Sequence, residues 1–197
     1  MTKPAFDRDY WEQLWSKTLV EHADKIAKKP PNAHLTSELA ALPPGRALDA
    51  GCGHGAETIW LAAHAWNVTA VDFSPAALAH AGSTADAIGV GDRIVWVDGD
   101  LATWSPPPAQ FDLVVCLYVH VAGSLEEMVQ RMASGVAPGG TLFMVGHRQA
   151  GSQVQVTVEA ARAALDPKTW ELVIAEERLR AVANTGNDAV IRAKRIA

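Results

Sequence analysis

The chain has 197 residues, of which 49% are hydrophobic and 20% are charged, a composition typical of a globular protein with one well-filled core. Its 17 Lys and Arg residues against 22 Asp and Glu residues give a formal net charge of −5, and no dense basic run occurs. Because nucleic-acid binding relies on clustered lysine and arginine, these features argue against a nucleic-acid partner. Two cysteines do not suggest a disulfide framework, the N-terminus does not resemble a signal peptide, and no apolar run could span a membrane. We therefore predict a cytoplasmic protein without a membrane partner.

The first elements are an amphipathic helix and a break. The helix, over Phe6 to Trp15, has one apolar face among charged residues, formed by Phe6, Tyr10, Trp11, Leu14 and Trp15. Such a face either packs on the core or covers a ligand as a lid, and both interpretations stay open. Residues 28–32 interrupt the pattern, and a second helix follows that ends before Pro43. We predict a single domain made of a cap segment (1–31) and a core (32–197).

The stretch Ala47–Ala56 organises the rest of the chain. A short apolar run contains Asp49, a glycine-spaced loop follows, and the next predicted helix has apolar residues at Ile59, Ala62, Ala63 and Trp66. Glycine lets the backbone approach a nucleotide-like ligand because it has no side chain to collide with it. The loop also satisfies a relaxed dinucleotide fingerprint, but a carboxylate at Asp49 repels a pyrophosphate and attracts an ammonium group. The pattern favours a cofactor with a nucleoside at one end and an amine at the other.

Strands and helices then alternate. Four further strands are predicted at Asn67–Asp72, Ile94–Val97, Phe111–Leu117 and Thr141–Val145. Between them lie helices whose predicted inward positions are Leu78, Ala81, Ala85 and Ile88 in one and Leu125, Met128, Val129, Met132 and Val136 in another. This alternation of strands and helices implies right-handed crossovers and a parallel sheet with helices on both faces.

The last third has a different pattern. A helix is predicted over Val156 to Leu165, followed by strands at Trp170–Glu176 and Ala189–Ala193. The polar link between these strands contains Asn184–Asn187 and no helical pattern, which predicts an antiparallel hairpin at the sheet edge. The predicted fold is α/β and Rossmann-like: a doubly wound, mostly parallel, seven-stranded sheet with a C-terminal antiparallel hairpin.

Polar groups gather at the predicted strand ends. In an open parallel sheet, ligands bind beyond the carboxyl ends of the strands, where the strand order reverses. Asp72 lies 21 residues after Gly51, the spacing at which a carboxylate can bind both ribose hydroxyls. The other groups at these ends are Asp49 with the glycine loop, Phe73, Asp100, Leu101, the stretch Cys116–His120, and His147.

Five motifs in this order resemble a class I S-adenosylmethionine-dependent methyltransferase. They are Leu48–Gly55, Val71–Ser74, Gly99–Leu101, Phe111–Val114 and Ala137–Gly140, and the resemblance runs from about Leu35 to the C-terminus. Finer features are similar to the branch of tellurite-resistance-type and thiopurine or thiol S-methyltransferases, namely Trp60–Ala62, Val68–Ser74 and the pair Trp11 and Trp15.

The resemblance implies S-adenosylmethionine as cofactor and S-adenosylhomocysteine as product. It implies that Asp49 and the backbone of Gly51, Cys52 and Gly53 hold the methionine amine and carboxylate. The other implied contacts are Asp72 with the ribose, Phe73, Asp100 and Leu101 with the adenine, the backbone near Cys116 with the sulfonium, and Trp11 and Trp15 as a cover. The fourth strand lacks the Asn/Asp-Pro-Pro-Tyr sequence of amino-group methylases, and no metal-binding acid cluster of the catechol type is visible.

The implied reaction is direct methyl transfer to a small molecule, without a metal. A thiolate or a chalcogen oxyanion needs little help from a base, whereas a phenol or an amine needs one, for which Tyr118, His120 and His147 are the candidates. Each of these three side chains can instead be an ordinary solvated or hydrogen-bonded residue without a catalytic role. Two alternatives stay open: a nicotinamide-dependent oxidoreductase and a non-catalytic S-adenosylmethionine-binding module. We expect a monomer or a homodimer.

Overall fold

A computed structural model describes residues 8–120, 123–148, 155–180 and 186–197. They include a seven-stranded sheet with helices on both faces, which confirms the predicted fold class. The predicted roles of Phe6 in the first helix and of residues 184–185 in the hairpin link lie outside the described residues. The strands are β1 (Arg46–Ala50), β2 (Asn67–Asp72), β3 (Ile94–Asp98), β4 (Phe111–Leu117), β5 (Val136–Arg148), β6 (Trp170–Leu179) and β7 (Asn187–Arg195).

The strand order is β3-β2-β1-β4-β5-β7-β6. The first five strands of this order are parallel, and β7 runs antiparallel to both β5 and β6. The C-terminal hairpin is therefore confirmed, with β6 at the edge and β7 inserted beside β5. The order reverses between β1 and β4, the position at which Rossmann-like sheets open a crevice for ligands.

Helices cover both faces of this sheet. The first helix is much longer than predicted and changes direction at His22, whose φ of −143° and ψ of 23° are not helical. It packs against the helix that follows β2. Across the described residues, no helix is long and apolar enough to cross a membrane. The helices are α1 (Arg8–Ala27), α2 (Ala33–Leu39), α3 (Ala56–Ala63), α4 (Pro75–Ile88), α5 (Leu125–Ser134) and α6 (Val158–Ala164).

The core has two layers, one on each face of the sheet. Neighbouring residues of one strand belong to opposite layers, as Leu113 and Val114 of β4 do. Parallel strands buried on both faces require such continuous apolar runs. One layer packs under α5 and α6, and the other packs under α2, α3 and part of α4.

Some apolar positions of the predicted helices are exposed or belong to another element, and each difference has a local cause. Ala63 is exposed because α3 ends there, and the chain turns through Ala65 at a φ of +67° before Trp66 packs back into the core. Ile88 is 56% exposed because it is the last residue of α4, before the left-handed Gly89. Leu14 of α1 is 41% exposed and so lies off the buried face. Val136 opens β5 instead of closing α5, by pairing with Phe111.

Candidate functional site

A cavity of about 740 Å³ lies at the carboxyl ends of β1, β2, β4 and β5. It is placed where the strand order reverses, and its volume is typical of small-molecule sites. Every predicted site residue lines it except Cys116, which is buried in the core with its thiol pKa raised to about 12 by burial. The wall beyond Cys116 is formed by the next residue, Leu117.

The glycine loop brings bare backbone to the cavity wall. The N–H groups of Gly51 and Cys52 both donate to the Val71 carbonyl, at 2.8 and 3.0 Å, which fixes the loop against β2. Gly51 has a φ of +81°, and a side chain there would collide with Val119. Gly53 has a φ of +50°, and a Cβ there would lie 3.0 Å from the Trp15 ring. Glycine is required at both positions by conformation and by space.

Three carboxyl groups surround this loop. Asp49 is 2% exposed and accepts a hydrogen bond from the Thr58 hydroxyl at 2.5 Å. Burial, aided by the nearby Glu57 carboxylate, raises the pKa of Asp49 to about 7. Burial also raises the pKa of Glu57, which accepts from the Asn32 N–H at 2.9 Å, and the pKa of Asp72. The Lys29 cation near Glu57 does not outweigh the effect of burial on that carboxyl group. The three buried carboxyl groups therefore resist ionisation, and this end of the cavity favours a cationic ligand.

Asp72 ends β2 and holds the loop as well as facing the cavity. Its Oδ2 accepts from the Gly53 N–H at 2.9 Å, and its Oδ1 accepts from the Ser74 N–H at 3.0 Å. Each carboxylate oxygen can accept a further hydrogen bond, so both can still bind hydroxyls. Phe73 and Leu101 continue the same wall, as does Asp100, which accepts from the Ala102 N–H at 2.8 Å.

Helix α1 covers the opening with its tryptophans. The Trp15 ring packs on Gly53 and lies 5.6 Å from the His54 ring, and the Trp11 ring lies 5.5 Å from the His120 ring. Two polar contacts attach the helix to the sheet edge. The Arg8 Nη2 atom donates to both carboxylate oxygens of Asp98, at 2.9 and 2.8 Å, and Ser74 donates a hydrogen bond to Glu12.

A second polar group, centred on Asp188, occupies the other end of the cavity. Asp188 is fully buried and accepts hydrogen bonds from the Tyr118 hydroxyl at 2.9 Å and from Arg180 Nε at 3.0 Å. The His147 Nδ1 atom lies 3.1 Å from it, and His34 Nε2 lies 3.6 Å from it. Burial alone would raise the pKa of Asp188, but the hydrogen bonds from His147, Tyr118 and Arg180 outweigh it and hold that pKa below its ordinary value.

The three candidate bases lie together here and differ in chemistry. Burial, together with the hydrogen bond to Asp188, raises the pKa of Tyr118 above its ordinary value, which disfavours the phenolate that a base would need. Burial, followed by the neighbouring His147, lowers the pKa of His120 and so keeps its imidazole neutral. His147 stacks on Tyr118 with ring centroids 4.0 Å apart.

The backbone at this end is unusual. Tyr118 has a φ of +56°, a backbone conformation that residues other than glycine rarely adopt. Gln155 helps to hold it there, since the Gln155 amide donates to the Tyr118 carbonyl at 3.0 Å and accepts from the His147 N–H at 2.5 Å. Strained backbone held by its surroundings is a common feature of ligand sites.

The sequence analysis did not identify several residues that the structure places in the site. Glu57 sits in the first turn of α3, where its place after the glycine loop was a usable signal. Asp188 faces His147 across the β5–β7 ladder, so only the register of that antiparallel pair brings them together. The other missed residues are Asn32, His34, Gln155 and Arg180.

The sequence is similar to those of known methyltransferases. Residues 47–140 match the family model described as a methyltransferase domain. Thiocyanate methyltransferase 1 of Arabidopsis thaliana is 28% identical over 195 residues, covering 94% of this chain and 84% of that protein. Ribosomal RNA small subunit methyltransferase C of Alcanivorax borkumensis is 31% identical over 134 residues, covering 60% of this chain and 40% of that protein.

The fold also matches solved structures. The N-methyltransferase NodS of Bradyrhizobium japonicum, solved with S-adenosylhomocysteine, superposes with a TM-score of 0.72 at 20% identity, covering 93% of this chain and 97% of that one. Coverage differs between relatives: the chain spans 40% and 29% of the first two curated relatives, but more than two thirds of the plant thiocyanate enzyme.

Proposed function

Because this chain belongs to the class I S-adenosylmethionine-dependent methyltransferase family, we propose that it moves a methyl group from S-adenosylmethionine to a small-molecule acceptor by direct in-line transfer. The observation that supports this most is the division of one cavity into an acidic end at the glycine loop and a separate polar end at Asp188. The first end suits a cationic cofactor, and the second provides room and polar groups for an acceptor. The cytoplasmic location, the single domain and the monomeric or homodimeric state remain predictions.

The acidic end fits the cofactor chemically. When bound, S-adenosylmethionine supplies an electrophilic methyl group on a cationic sulfur. Asp49 and the loop backbone would hold its amine and carboxylate, and Asp72 would hold its ribose. A cation beside Asp49 would also offset the burial that raises the pKa of this carboxyl group, because the cation would stabilise the ionised carboxylate.

The polar end of the cavity would bind the methyl acceptor and take up any proton that the acceptor releases. The acceptor atom forms its new bond to the methyl carbon as the bond from that carbon to the cofactor sulfur breaks, and the electron pair stays on the departing sulfur. An anionic acceptor releases no proton, whereas a neutral thiol releases one, which the neutral His120 imidazole can accept. Trp11 and Trp15 would exclude water from both ligands. A thiol or a chalcogen oxyanion is therefore the proposed acceptor class.

The test uses purified protein with methyl-labelled S-adenosylmethionine and a panel of thiols, thiocyanate, tellurite, selenite, phenols, amines and ribosomal RNA. We expect saturable label transfer to sulfur or chalcogen acceptors, and none to ribosomal RNA. Label on the RNA alone would contradict the small-molecule proposal. Tight binding of S-adenosylhomocysteine without transfer to any acceptor would favour the non-catalytic binding module, and saturable NADH binding would favour the oxidoreductase.

A further inference from the structure

Asn32 lines the cavity and contacts both the acidic end and the polar end. Its backbone N–H donates to the Glu57 carboxyl group at 2.9 Å, and its side-chain Nδ2 donates to the Tyr118 hydroxyl oxygen at 2.8 Å. Glu57 belongs to the acidic end beside the glycine loop, and Tyr118 belongs to the polar end centred on Asp188. One residue therefore bridges the two ends at which the cofactor and the acceptor are proposed to bind.

The N-cap of α2 fixes the orientation of the Asn32 amide. Its Oδ1 accepts hydrogen bonds from the N–H groups of His34 and Leu35, at 2.9 and 3.1 Å. An asparagine amide accepts only through its oxygen and donates only through its nitrogen, so Nδ2 must be the atom that faces Tyr118. The two residues before Asn32 are Pro30 and Pro31, whose rings restrict the backbone that leads into the cap. Asn32 is thus held in one orientation.

This orientation determines where the Tyr118 proton lies. The hydroxyl oxygen of Tyr118 accepts from Asn32, so its single proton is directed at Asp188 Oδ2, 2.9 Å away. A series of hydrogen bonds therefore starts at Asn32 and ends at a carboxyl group on each side. It reaches Glu57 directly and Asp188 through Tyr118.

Cofactor binding should strengthen the Glu57 side of this series. Burial raises the pKa of Glu57, and the cationic amine of the cofactor, held beside Asp49 and Glu57, would favour the ionised carboxylate. An ionised carboxylate accepts a shorter and stronger hydrogen bond than a neutral carboxyl group, so the Asn32 N–H would be held more firmly. Because the cap fixes the Asn32 amide relative to its backbone, the change reaches the Tyr118 hydroxyl.

We propose that Asn32 is a positioning residue that couples the two ends of the cavity, so that cofactor binding fixes the Tyr118 hydroxyl in place before the acceptor binds. This inference rests on the proposed function and adds a binding order to it. The coupling is reciprocal, so a change at Tyr118 alters cofactor affinity through Asn32. Its use for the reaction is alignment, since in-line transfer depends on the relative placement of the two ligands.

A double-mutant cycle on S-adenosylhomocysteine affinity tests the coupling without an acceptor. Asn32→Ser removes the donor to Tyr118 but keeps a capping hydroxyl for α2 and the backbone N–H that binds Glu57. Tyr118→Phe removes the hydroxyl on the other side of the same contact. By calorimetry we expect each single change to lower the affinity roughly 2-fold to 10-fold, and the double variant to bind no more weakly than the weaker single one. Effects that multiply in the double variant, or no effect of either single change, would overturn the coupling.

A spectroscopic signature separates positioning from a merely structural role. The chain has two tyrosines, so protein labelled with carbon-13 at the tyrosine Cζ atom gives two signals, and Tyr118→Phe identifies one of them. S-adenosylhomocysteine should shift the Tyr118 signal in the wild type, and much less in Asn32→Ser. Asn67→Ser, at an exposed position outside the cavity, should retain the wild-type shift. Equal shifts in the wild type and Asn32→Ser would mean that the ligand acts on Tyr118 without Asn32, which contradicts the proposal.

The outcomes also distinguish this inference from the proposed function. If the wild type does not bind S-adenosylhomocysteine, the proposed function fails and the coupling fails with it. If the ligand binds but the two changes multiply, only the coupling is overturned. If the coupling is found but no acceptor is methylated, the role of Asn32 is supported and the proposed reaction fails.

Discussion

Asp72 combines two roles in one carboxylate, and its replacement should affect the cofactor first. Asp72→Ala removes a charged acceptor from the predicted ribose site and also frees the Gly53 and Ser74 N–H groups. We expect S-adenosylhomocysteine affinity to fall by about 1.5–3 kcal/mol, measured by calorimetry. Asp92→Ala, which removes an exposed aspartate outside the cavity, is the matched control. Unchanged affinity in Asp72→Ala would rule out the ribose assignment.

We expect Asp49 to make cofactor binding depend on pH. Its pKa is raised from 3.8 to about 7, so the folded protein holds this proton up to near-neutral pH. Stability therefore declines as pH rises from about 4 towards 7, since the unfolded chain ionises this group more easily. A cationic amine prefers the ionised carboxylate, so binding at pH 6 should release a proton, and binding at pH 8 should release almost none.

Calorimetry in buffers of different ionisation enthalpy measures that proton directly. For S-adenosylhomocysteine at pH 6 we expect proton release by the wild-type protein and a smaller release by Asp49→Asn. The affinity of the variant should fall more at pH 8 than at pH 6, because only the ionised wild-type carboxylate attracts the amine strongly. Equal proton release by both proteins would show that Asp49 does not face the amine.

At the scale of elements, the strands were the most predictable parts. The predicted bounds of β2 and β4 coincide with the observed ones, because each apolar run is closed by polar or turn residues. The length of α1 was not predictable, since its second half has little apolar periodicity and buries only Ile26. The early start of β5 depends on the pairing of Val136 with Phe111 across a register shift, which is a tertiary contact.

The first half of α1 should matter more for turnover than for stability. Deleting residues 1–16 removes Trp11 and Trp15 from the cavity wall but none of the helix's buried residues. We expect a large loss of kcat/KM with little change in the thermal unfolding midpoint. In the intact protein, S-adenosylhomocysteine should slow proteolysis of this segment, because it packs on the glycine loop. Unfolding of the truncated protein would instead make the aromatic face part of the core.

Across the whole molecule, the two ends of the site differed in how far the sequence could predict them. Asp49, the glycine loop and Asp72 are close in sequence to the strand ends that position them, and local pattern was sufficient to place them in one cavity. The Asp188 group joins residues far apart in the chain: Asn32 before α2, Tyr118 after β4, and Asp188 in β7. No spacing rule predicts such a meeting, since it depends on the order and register of the completed sheet.

The Asp188 group also connects distant parts of the fold, so we expect its disruption to lower the free energy of unfolding. Asp188→Asn leaves the Arg180 guanidinium without its charged partner at a buried position. Removing one member of a buried ion pair costs on the order of 3 kcal/mol or more, so the free energy of unfolding at pH 7 should fall by about that amount.

The pH dependence distinguishes a charge effect from a general packing defect. The folded-state pKa of Asp188 is lowered, so its contribution is present above the unfolded value of 3.8 and disappears as the pH falls through the lower folded value. Denaturant unfolding should therefore show a gap between wild type and Asp188→Asn that is full at pH 7 and narrows below pH 3.8. Asp24→Asn, an exposed change on α1, should show no gap at either pH. A gap of constant size down to strongly acidic pH would mean that the shape of the side chain, not its charge, stabilises this junction of strands.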